Sequence, residues 1–280
     1  MSAHTIADLL AMGPPDDGSR VRFTHETRGM SMAESAGRLL FGLAEHGIVR
    51  RDYAWKRMTG AVRLESGRIR QAMSGQPGLL PALVSASLET LAGEKPSPSR
   101  VSALAYSDVL YLLFDRVIEI TGAVPIMLPW KCPGCGGDAP KLERKDVSVW
   151  ALDYEPSDPP RAIAWLDQPF QHGERQVDAL IVSAASWAGV YQGASMADMR
   201  NPEWAQMGSV LAGTVGYVSG GEAVLATIPR AALMNGIAFR EWARLSNAVN
   251  GCGGMVFPAA VFEHACGDLV QVPFDFSTTM

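Results

Sequence analysis

Residues 131–137 read KCPGCGG, and this stretch decides how the fold is interpreted. Cys132 and Cys135 form a Cys-x-x-Cys pair in a tight turn, where two thiolates can point at one small cation. The surrounding glycines accept backbone angles that other residues resist. Two thiolates supply only half of a tetrahedral zinc site, so the sequence predicts that the remaining ligands come from a distant segment.

The best second half of the site lies near the C-terminus, where residues 263–268 read EHACGD. Cys266 is the expected third ligand, because it precedes a glycine as Cys135 does. A regular second knuckle would carry cysteine at position 263, which is Glu263 here, so the fourth ligand is open between Cys252 and His264. Cys252 is preferred because it completes an all-thiolate set. The sequence thus predicts a structural zinc site of Cys132, Cys135, Cys252 and Cys266, with His264 as the alternative fourth ligand.

Two other interpretations of the cysteines stay open. Cys252 and Cys266 can be ordinary buried cysteines, which are common in protein cores. Cys132 and Cys135 can be a redox pair, although such pairs usually open a helix, whereas glycines follow this one.

Composition indicates a globular protein and disfavours some classes of binding partner. The chain has 280 residues, is 48% hydrophobic and carries a net charge of −5, which disfavours nucleic acid as a ligand. The densest basic run, residues 63–70, is interrupted by Glu65 and is typical of a solvated helix face. Residues 179–197 and 204–221 lack charge but contain many small polar residues, so we expect buried helices and no membrane span. With four cysteines and no signal peptide, the expectation is a soluble, cytoplasmic protein.

The pattern of apolar residues predicts an α+β fold that is mainly helical, with a zinc-ribbon-like pair of β-hairpins formed by two distant segments. Four regions are expected: an N-terminal helical region (1–100), a helix with the first CxxC hairpin (101–155), a second helical region (156–250), and a knuckle hairpin that packs on the first (251–280). Helices are predicted near residues 1–12, 31–47, 53–73, 79–91, 109–120 (with Ser107-Asp108 as N-cap), 179–192, 202–213 and 230–247. Strands are predicted near residues 21–23, 126–130, 147–151, 256–257 and 270–276.

The sequence contains no recognisable catalytic motif, which predicts a non-enzymatic protein. Asp115, Arg116 and Glu119 lie on the helix before the first knuckle, and charges at this spacing are typical of solvent-facing ion pairs rather than a catalytic carboxylate pair. Two alternatives stay open: a zinc-ribbon adaptor that binds nucleic acid or a protein partner, and a metal-dependent enzyme that uses Cys135 or His264.

Two segments resemble the baseplate hub assembly chaperone family of contractile-tailed, T-even-like bacteriophages. In residues 108–137, a leucine-rich helix with an Asp115-Arg116 step ends in glycine, and an extended run leads to Cys-Pro-x-Cys-Gly. In residues 229–276, a helix and a glycine-rich turn precede a knuckle that ends in CGD (266–268) and a strand that reads VQVPF (270–274). Glu263 departs from the family pattern.

The resemblance implies a protein that assists assembly of the baseplate hub or forms part of it. Its partners would be other phage tail and baseplate proteins, with no nucleic acid and no membrane. It would act in the host cytoplasm during assembly, with the virion tail as a second location. The sequence leaves the oligomeric state open.

Overall fold

The structure is a computed structural model, and it describes residues 22–23, 27–31, 37–124, 126, 130–138, 140–152, 161–194, 198, 203–252 and 259–273. Within these residues, twelve strands form three antiparallel sheets, and eight helices pack around them. The strands are β1 Arg22–Phe23, β2 Thr27–Ser31, β3 Arg38–Glu45, β4 Ile48–Trp55, β5 Leu88–Leu91, β6 Ser148–Leu152, β7 Arg161–His172, β8 Arg175–Ser183, β9 Thr214–Ser219, β10 Glu222–Val224, β11 Ala259–Glu263 and β12 Leu269–Pro273. The helices are α1 Gly60–Met73, α2 Leu79–Ser87, α3 Pro98–Ala103, α4 Tyr106–Thr121, α5 Trp187–Tyr191, α6 Trp204–Gly213, α7 Arg230–Gly236 and α8 Trp242–Gly251.

The sheets have five, four and three strands. The five-stranded sheet has the order β1-β7-β8-β9-β10, the four-stranded sheet the order β12-β11-β6-β2, and the three-stranded sheet the order β3-β4-β5. The chain is therefore α+β, but the prediction of a mainly helical protein was wrong.

The largest correction concerns residues 156–250, which were predicted to be helical and instead contain most of the five-stranded sheet. Strand β8 occupies the first part of the predicted helix 179–192, and only Trp187–Tyr191 is helical there. Leu180, Ile181 and Val182 are all fully buried, so both faces of β8 are covered. A strand buried on both faces is a continuous apolar run, and its sequence cannot be told from a buried helix by periodicity.

The predicted helix 31–47 was wrong for the same reason. Its apolar residues lie in β3, which pairs with β4 through a two-residue turn at His46 and Gly47. Both turn residues have positive φ, 52° and 77°, as tight hairpin turns with the twist of the flanking strands require. His46 therefore belongs to a hairpin turn and not to a helix end.

Several predicted elements are confirmed. Helix α4 contains the predicted helix 109–120 but begins earlier, at Tyr106, and Gly122 ends it in the left-handed conformation (φ 68°). Strand β6 matches the strand predicted near 147–151, and β12 the start of the one predicted near 270–276.

The predicted helix 53–73 begins only at Gly60, with Thr59 as N-cap, and the predicted helix 230–247 is divided into α7 and α8. The predicted helix near 1–12 and the predicted strand residues 127–129, 256–257 and 274–276 lie outside the described residues.

Two main hydrophobic cores follow from this arrangement. The first surrounds α4, whose buried face packs with β3, β4 and β5, and it extends to Cys132, Phe262 and Val270. The second lies between the five-stranded sheet and helices α6 and α8, and it includes Cys252 and Trp242. Two of the four cysteines are thus placed in different cores.

The described residues of the two uncharged windows, 179–194 and 204–221, contribute mainly to core strands and helices. Residues 179–197 supply part of β8 and all of α5, and residues 204–221 supply α6 and β9. In the part of the chain that the structure describes, no helix combines the length and apolar character that a membrane crossing needs.

Candidate metal centre

The first turn of the site is a compact loop closed by a bridge between Lys131 and Asp138. The Cys132 amide donates to the Gly137 carbonyl (2.8 Å), and the Gly136 amide donates to the Cys132 carbonyl (2.7 Å). Gly136 has a φ of 71°, which a residue with a side chain adopts only at a cost. These bonds present the Cys132 and Cys135 thiols on the same side of the loop.

The second turn is the tip of the β11–β12 hairpin, whose last strand pair is Glu263 with Leu269. The His264 amide donates to the Asp268 carbonyl, and the Gly267 amide donates to the His264 carbonyl, both at 2.8 Å. Gly267 has a φ of 89°, so glycine is again needed to turn the chain. His264 and Cys266 project from this tip.

Strand pairing brings the two turns together. The first turn leads through a 3₁₀ turn, Arg144–Asp146, into β6. Strand β11 pairs with β12 on one side and with β6 on the other, through Val261 and Ser148. The hairpin tip therefore meets the first turn although Cys132 and Cys266 are 134 residues apart.

Three of the six separations between the four ligand atoms are close to those of a tetrahedral metal site. The Sγ atoms of Cys132 and Cys266 are 3.7 Å apart, and His264 Nδ1 is 3.6 Å from Cys135 Sγ and 3.2 Å from Cys266 Sγ. Metal–sulfur and metal–nitrogen bonds of about 2.3 and 2.0–2.1 Å at tetrahedral angles place sulfurs about 3.8 Å apart and sulfur and nitrogen about 3.6 Å apart. All four atoms lie within 4.8 Å of one another. One ion fits among them.

Side chains of the two turns pack closely against two glycines of the first turn. A Cβ atom on Gly134 would lie 1.6 Å from Asp268 Oδ2, so the Asp268 carboxylate occupies the place of a side chain at position 134. A Cβ atom on Gly137 would lie 3.2 Å from Cys135 Sγ and 3.3 Å from His264 Cε1. The glycines of the first turn therefore serve both its backbone and its fit to the second turn.

The site lies at the rim of the first core. Cys132 and His264 are buried, at 2% and 8% exposure, while Cys135 and Cys266 are exposed. The Trp130 ring packs edge-on against the His264 ring, with centroids 6.2 Å apart. His264 Nε2 lies 3.5 Å from the Asp138 carbonyl oxygen, so a proton on Nε2 leaves Nδ1 unprotonated toward the sulfurs.

The surroundings shift the pKa values of the Cys132 and Cys266 thiols in opposite directions. Burial alone would raise the pKa of Cys132, but bonds from the Cys135 and Gly134 amides and from neighbouring thiols outweigh it and lower the pKa. The Asp268 amide lowers the pKa of Cys266, yet burial and the nearby thiols and carboxylate together raise it to about 11. A divalent cation among the sulfurs would favour the thiolate at both residues.

Cys252 is not part of this cluster. It follows α8 in the second core, is fully buried, and its Sγ lies 3.5 Å from the Val182 carbonyl oxygen. Burial raises the pKa of its thiol to about 12. The expected all-thiolate set is replaced by Cys132, Cys135, His264 and Cys266, because Cys252 packs in the second core against β8. The spacing of His264, two residues before Cys266 in the same turn, is the signal that favours it.

The charged residues of α4 belong to a separate structural network. The Asp115 carboxylate accepts hydrogen bonds from the Tyr53 hydroxyl (2.6 Å) and Trp55 Nε1 (2.7 Å), and it pairs with Arg144. Asp115 is 1% exposed, so the prediction that it faces solvent was wrong. Its partners hold β4 and the segment after the first turn against α4.

No protein-family model, curated protein or solved structure matches this chain. The comparisons therefore identify no family. The likeness to phage baseplate chaperones stays a prediction from the residues. The structure itself supplies a Cys₃His cluster that can hold a metal ion, and this donor set is compatible with zinc.

Proposed function

We propose that the chain is a non-enzymatic assembly protein in which one structural zinc ion is held by Cys132, Cys135, His264 and Cys266. The observation that carries the proposal is the convergence of their four ligand atoms within 4.8 Å of one another. Structural zinc sites use four protein ligands, whereas catalytic sites keep one position open for water or substrate. Four protein ligands here support a structural role over a catalytic one.

The zinc ion would hold together two segments that are distant in sequence. Its first two ligands precede β6, and its last two lie at the tip of the β11–β12 hairpin. Much of the five-stranded sheet and helices α5 to α8 lie between them in the chain. Closing so long a loop restricts the unfolded chain and fixes how the intervening region is attached to the first core.

The biological setting that we propose is assembly of a contractile phage tail, in which the protein assists formation of the baseplate hub or stays in it. This setting is supported by the resemblance of residues 108–137 and 229–276, whose order of helix, knuckle, helix, knuckle and strand follows that family. A rigid, metal-held scaffold suits a protein that positions partners. The partners would be tail and baseplate proteins, met in the host cytoplasm.

Charges around the site support this proposal over a nucleic-acid adaptor. The exposed charged residues beside the ligands are Lys131, Asp138, Glu263 and Asp268. Lys131 pairs with Asp138, so the cation among these four described residues is neutralised and two carboxylates remain. Phosphate backbones are bound by clustered cations, and these four described residues do not form such a cluster.

The first test measures the zinc content of the purified full-length protein by mass spectrometry of the metal. We expect one zinc per chain in the wild type and substoichiometric zinc in Cys132→Ser and Cys266→Ser, since three ligands hold the ion less well than four. Cys252→Ala is the matched control and should keep one zinc. Stoichiometric zinc in both ligand variants, or no zinc in the wild type, would refute the proposed structural zinc site.

The second test concerns the partner. We expect the tagged protein, purified from phage-producing cells, to carry baseplate or hub proteins identified by mass spectrometry, with less recovered for Cys266→Ser than for Cys252→Ala. Recovery of nucleic acid or an RNA polymerase in their place would favour the adaptor. Because zinc content is measured separately, a negative result here leaves the metal site standing and removes only the assembly role.

A further inference from the structure

A cavity of about 280 Å³ lies away from the metal centre, between helices α1, α2 and α4. Three arginines contribute to its wall: Arg63 and Arg70 from α1, and Arg116 from α4. Met58, Leu83 and Ile120 add apolar surface. No carboxylate is among the described residues that line it.

Arg116 carries hydrogen-bonding capacity that the described residues leave unused. Its side chain is 6% exposed, its guanidinium lies over the Trp55 ring at 5.0 Å, and its Nη1 bonds to Glu119. Nε and Nη2 are buried and have no hydrogen-bond partner in the described part of the chain. Buried hydrogen-bond donors almost always have an acceptor, so two buried nitrogens without one require an explanation.

These two nitrogens lie on one edge of the guanidinium plane. This edge presents two parallel N–H groups, which match two oxygens of a carboxylate or phosphate. Glu119 uses the other end of the group, and Trp55 supports its face, so the free edge is held in a fixed orientation.

The arginines of α1 add positive charge to the same cavity. Arg63 and Arg70 are seven residues apart, two helical turns, and so lie on the same face of α1. Both are exposed, and neither has an ion pair among the described residues, whereas Arg68 on another face pairs with Glu65 at 3.8 Å. Three guanidinium groups around one cavity repel one another unless an anion lies between them.

We propose that this cavity binds a small organic anion, with its oxyanion headgroup among the guanidinium groups of Arg63, Arg70 and Arg116 and its apolar body against Met58, Leu83 and Ile120. Arg63 and Arg70 would close over the headgroup from the solvent side. A cavity of this size is at the small end of ligand sites, which limits the ligand to a short chain or a single ring. The sequence had assigned residues 63–70 to a solvated helix face, and the cavity gives two of these arginines a shared function.

The test is calorimetric titration of the full-length, zinc-loaded protein at low salt with octanoate, octyl phosphate and inorganic phosphate. We expect at least one octyl anion to bind more tightly than inorganic phosphate, because only the former contacts the apolar wall. A preference between the two octyl compounds would identify the headgroup as carboxylate or phosphate. Absence of binding by both at millimolar concentration would overturn the proposal.

Variants assign the binding to these arginines. The double variant Arg63→Ala/Arg70→Ala changes only exposed side chains. It should weaken octyl-anion binding about tenfold or more, which corresponds to the loss of one hydrogen bond to a charged group. Arg116→Lys keeps the charge but removes the two-pronged edge, and should weaken binding at least as much with unchanged circular dichroism. Arg68→Ala, on the same helix outside the cavity, is the matched control. Equal weakening by Arg68→Ala would show general charge attraction and refute the site.

Discussion

Cys135→Ser is expected to abolish stoichiometric zinc binding and to lower the free energy of unfolding by several kcal/mol. Zinc bound by four protein ligands stabilises only the folded state, and in zinc-finger peptides this binding is worth on the order of 10 kcal/mol. Cys135 suits the experiment because its side chain is exposed, so the substitution creates no cavity in the core. The loss of stability then reports the metal rather than packing.

Urea unfolding of the zinc-loaded proteins measures this effect, with Cys252→Ala as the control for loss of a thiol elsewhere. A strong chelator should lower the unfolding midpoint of the wild type toward that of Cys135→Ser and leave the variant unchanged. Hydrogen exchange should show that residues 131–138 and the β11–β12 hairpin lose protection first, since the ion joins them. If chelation leaves the urea unfolding midpoint of the wild type unchanged, the ion does not stabilise the fold.

Asp108→Ala is expected to produce the second large effect, a loss of about 3 kcal/mol or more in the free energy of unfolding. The fully buried Asp108 carboxylate accepts the amides of Leu40 (2.8 Å), Phe41 (3.2 Å) and Gly42 (2.8 Å) in β3. These amides need the carboxylate because β3 departs from regular pairing with β4 between Arg38 and Leu43. An unsatisfied buried donor costs about 1–3 kcal/mol, and three would lose their acceptor together.

Chemical denaturation of three variants separates this bond network from a general charge effect. Asp108→Asn keeps the volume and one carbonyl oxygen, so we expect a loss smaller than that of Asp108→Ala. Glu65→Ala removes an exposed carboxylate and should change stability by no more than about 0.5 kcal/mol. An Asp108→Ala protein as stable as Glu65→Ala would show that the three amides do not depend on this carboxylate.

The pH dependence of the same variants tests the state of the carboxyl group. Burial raises the pKa of Asp108 to about 6, although the three amides and Arg51 act in the opposite direction. In the unfolded chain its pKa is about 3.9, so between about pH 4 and 6 the folded state holds the proton more strongly. The contribution of Asp108 to stability therefore falls as the pH rises through this window. We expect the advantage of the wild type over Asp108→Asn to shrink from about pH 4 to 6; an increase would contradict the raised pKa.

The residues of the candidate site differ in how well they could be predicted from the sequence. The Cys132 and Cys135 pair was predictable because Cys-x-x-Cys with glycines specifies a local turn. Cys266 was predictable by its likeness to Cys135, and His264 was recognised only as an alternative. Preference for Cys252 rested on ligand type alone, and ligand type does not say where α8 ends in space. Arg116 gave no sequence signal as a buried residue, because its spacing to Glu119 is that of an exposed ion pair.

The amino-acid sequence by itself determined the local features of this protein: the two glycine-supported turns, helix α4 with its stop at Gly122, and the absence of a strongly basic character. Only the tertiary structure decided that the β6–β11 pairing brings the two turns together, that His264 completes the ligand set, and that residues 161–224 contain most of a five-stranded sheet. The reason is physical. Turn and helix preferences depend on neighbours in the chain. The β6–β11 pairing and the metal coordination join residues more than a hundred positions apart, and a fully buried strand can have the same apolar pattern as a buried helix.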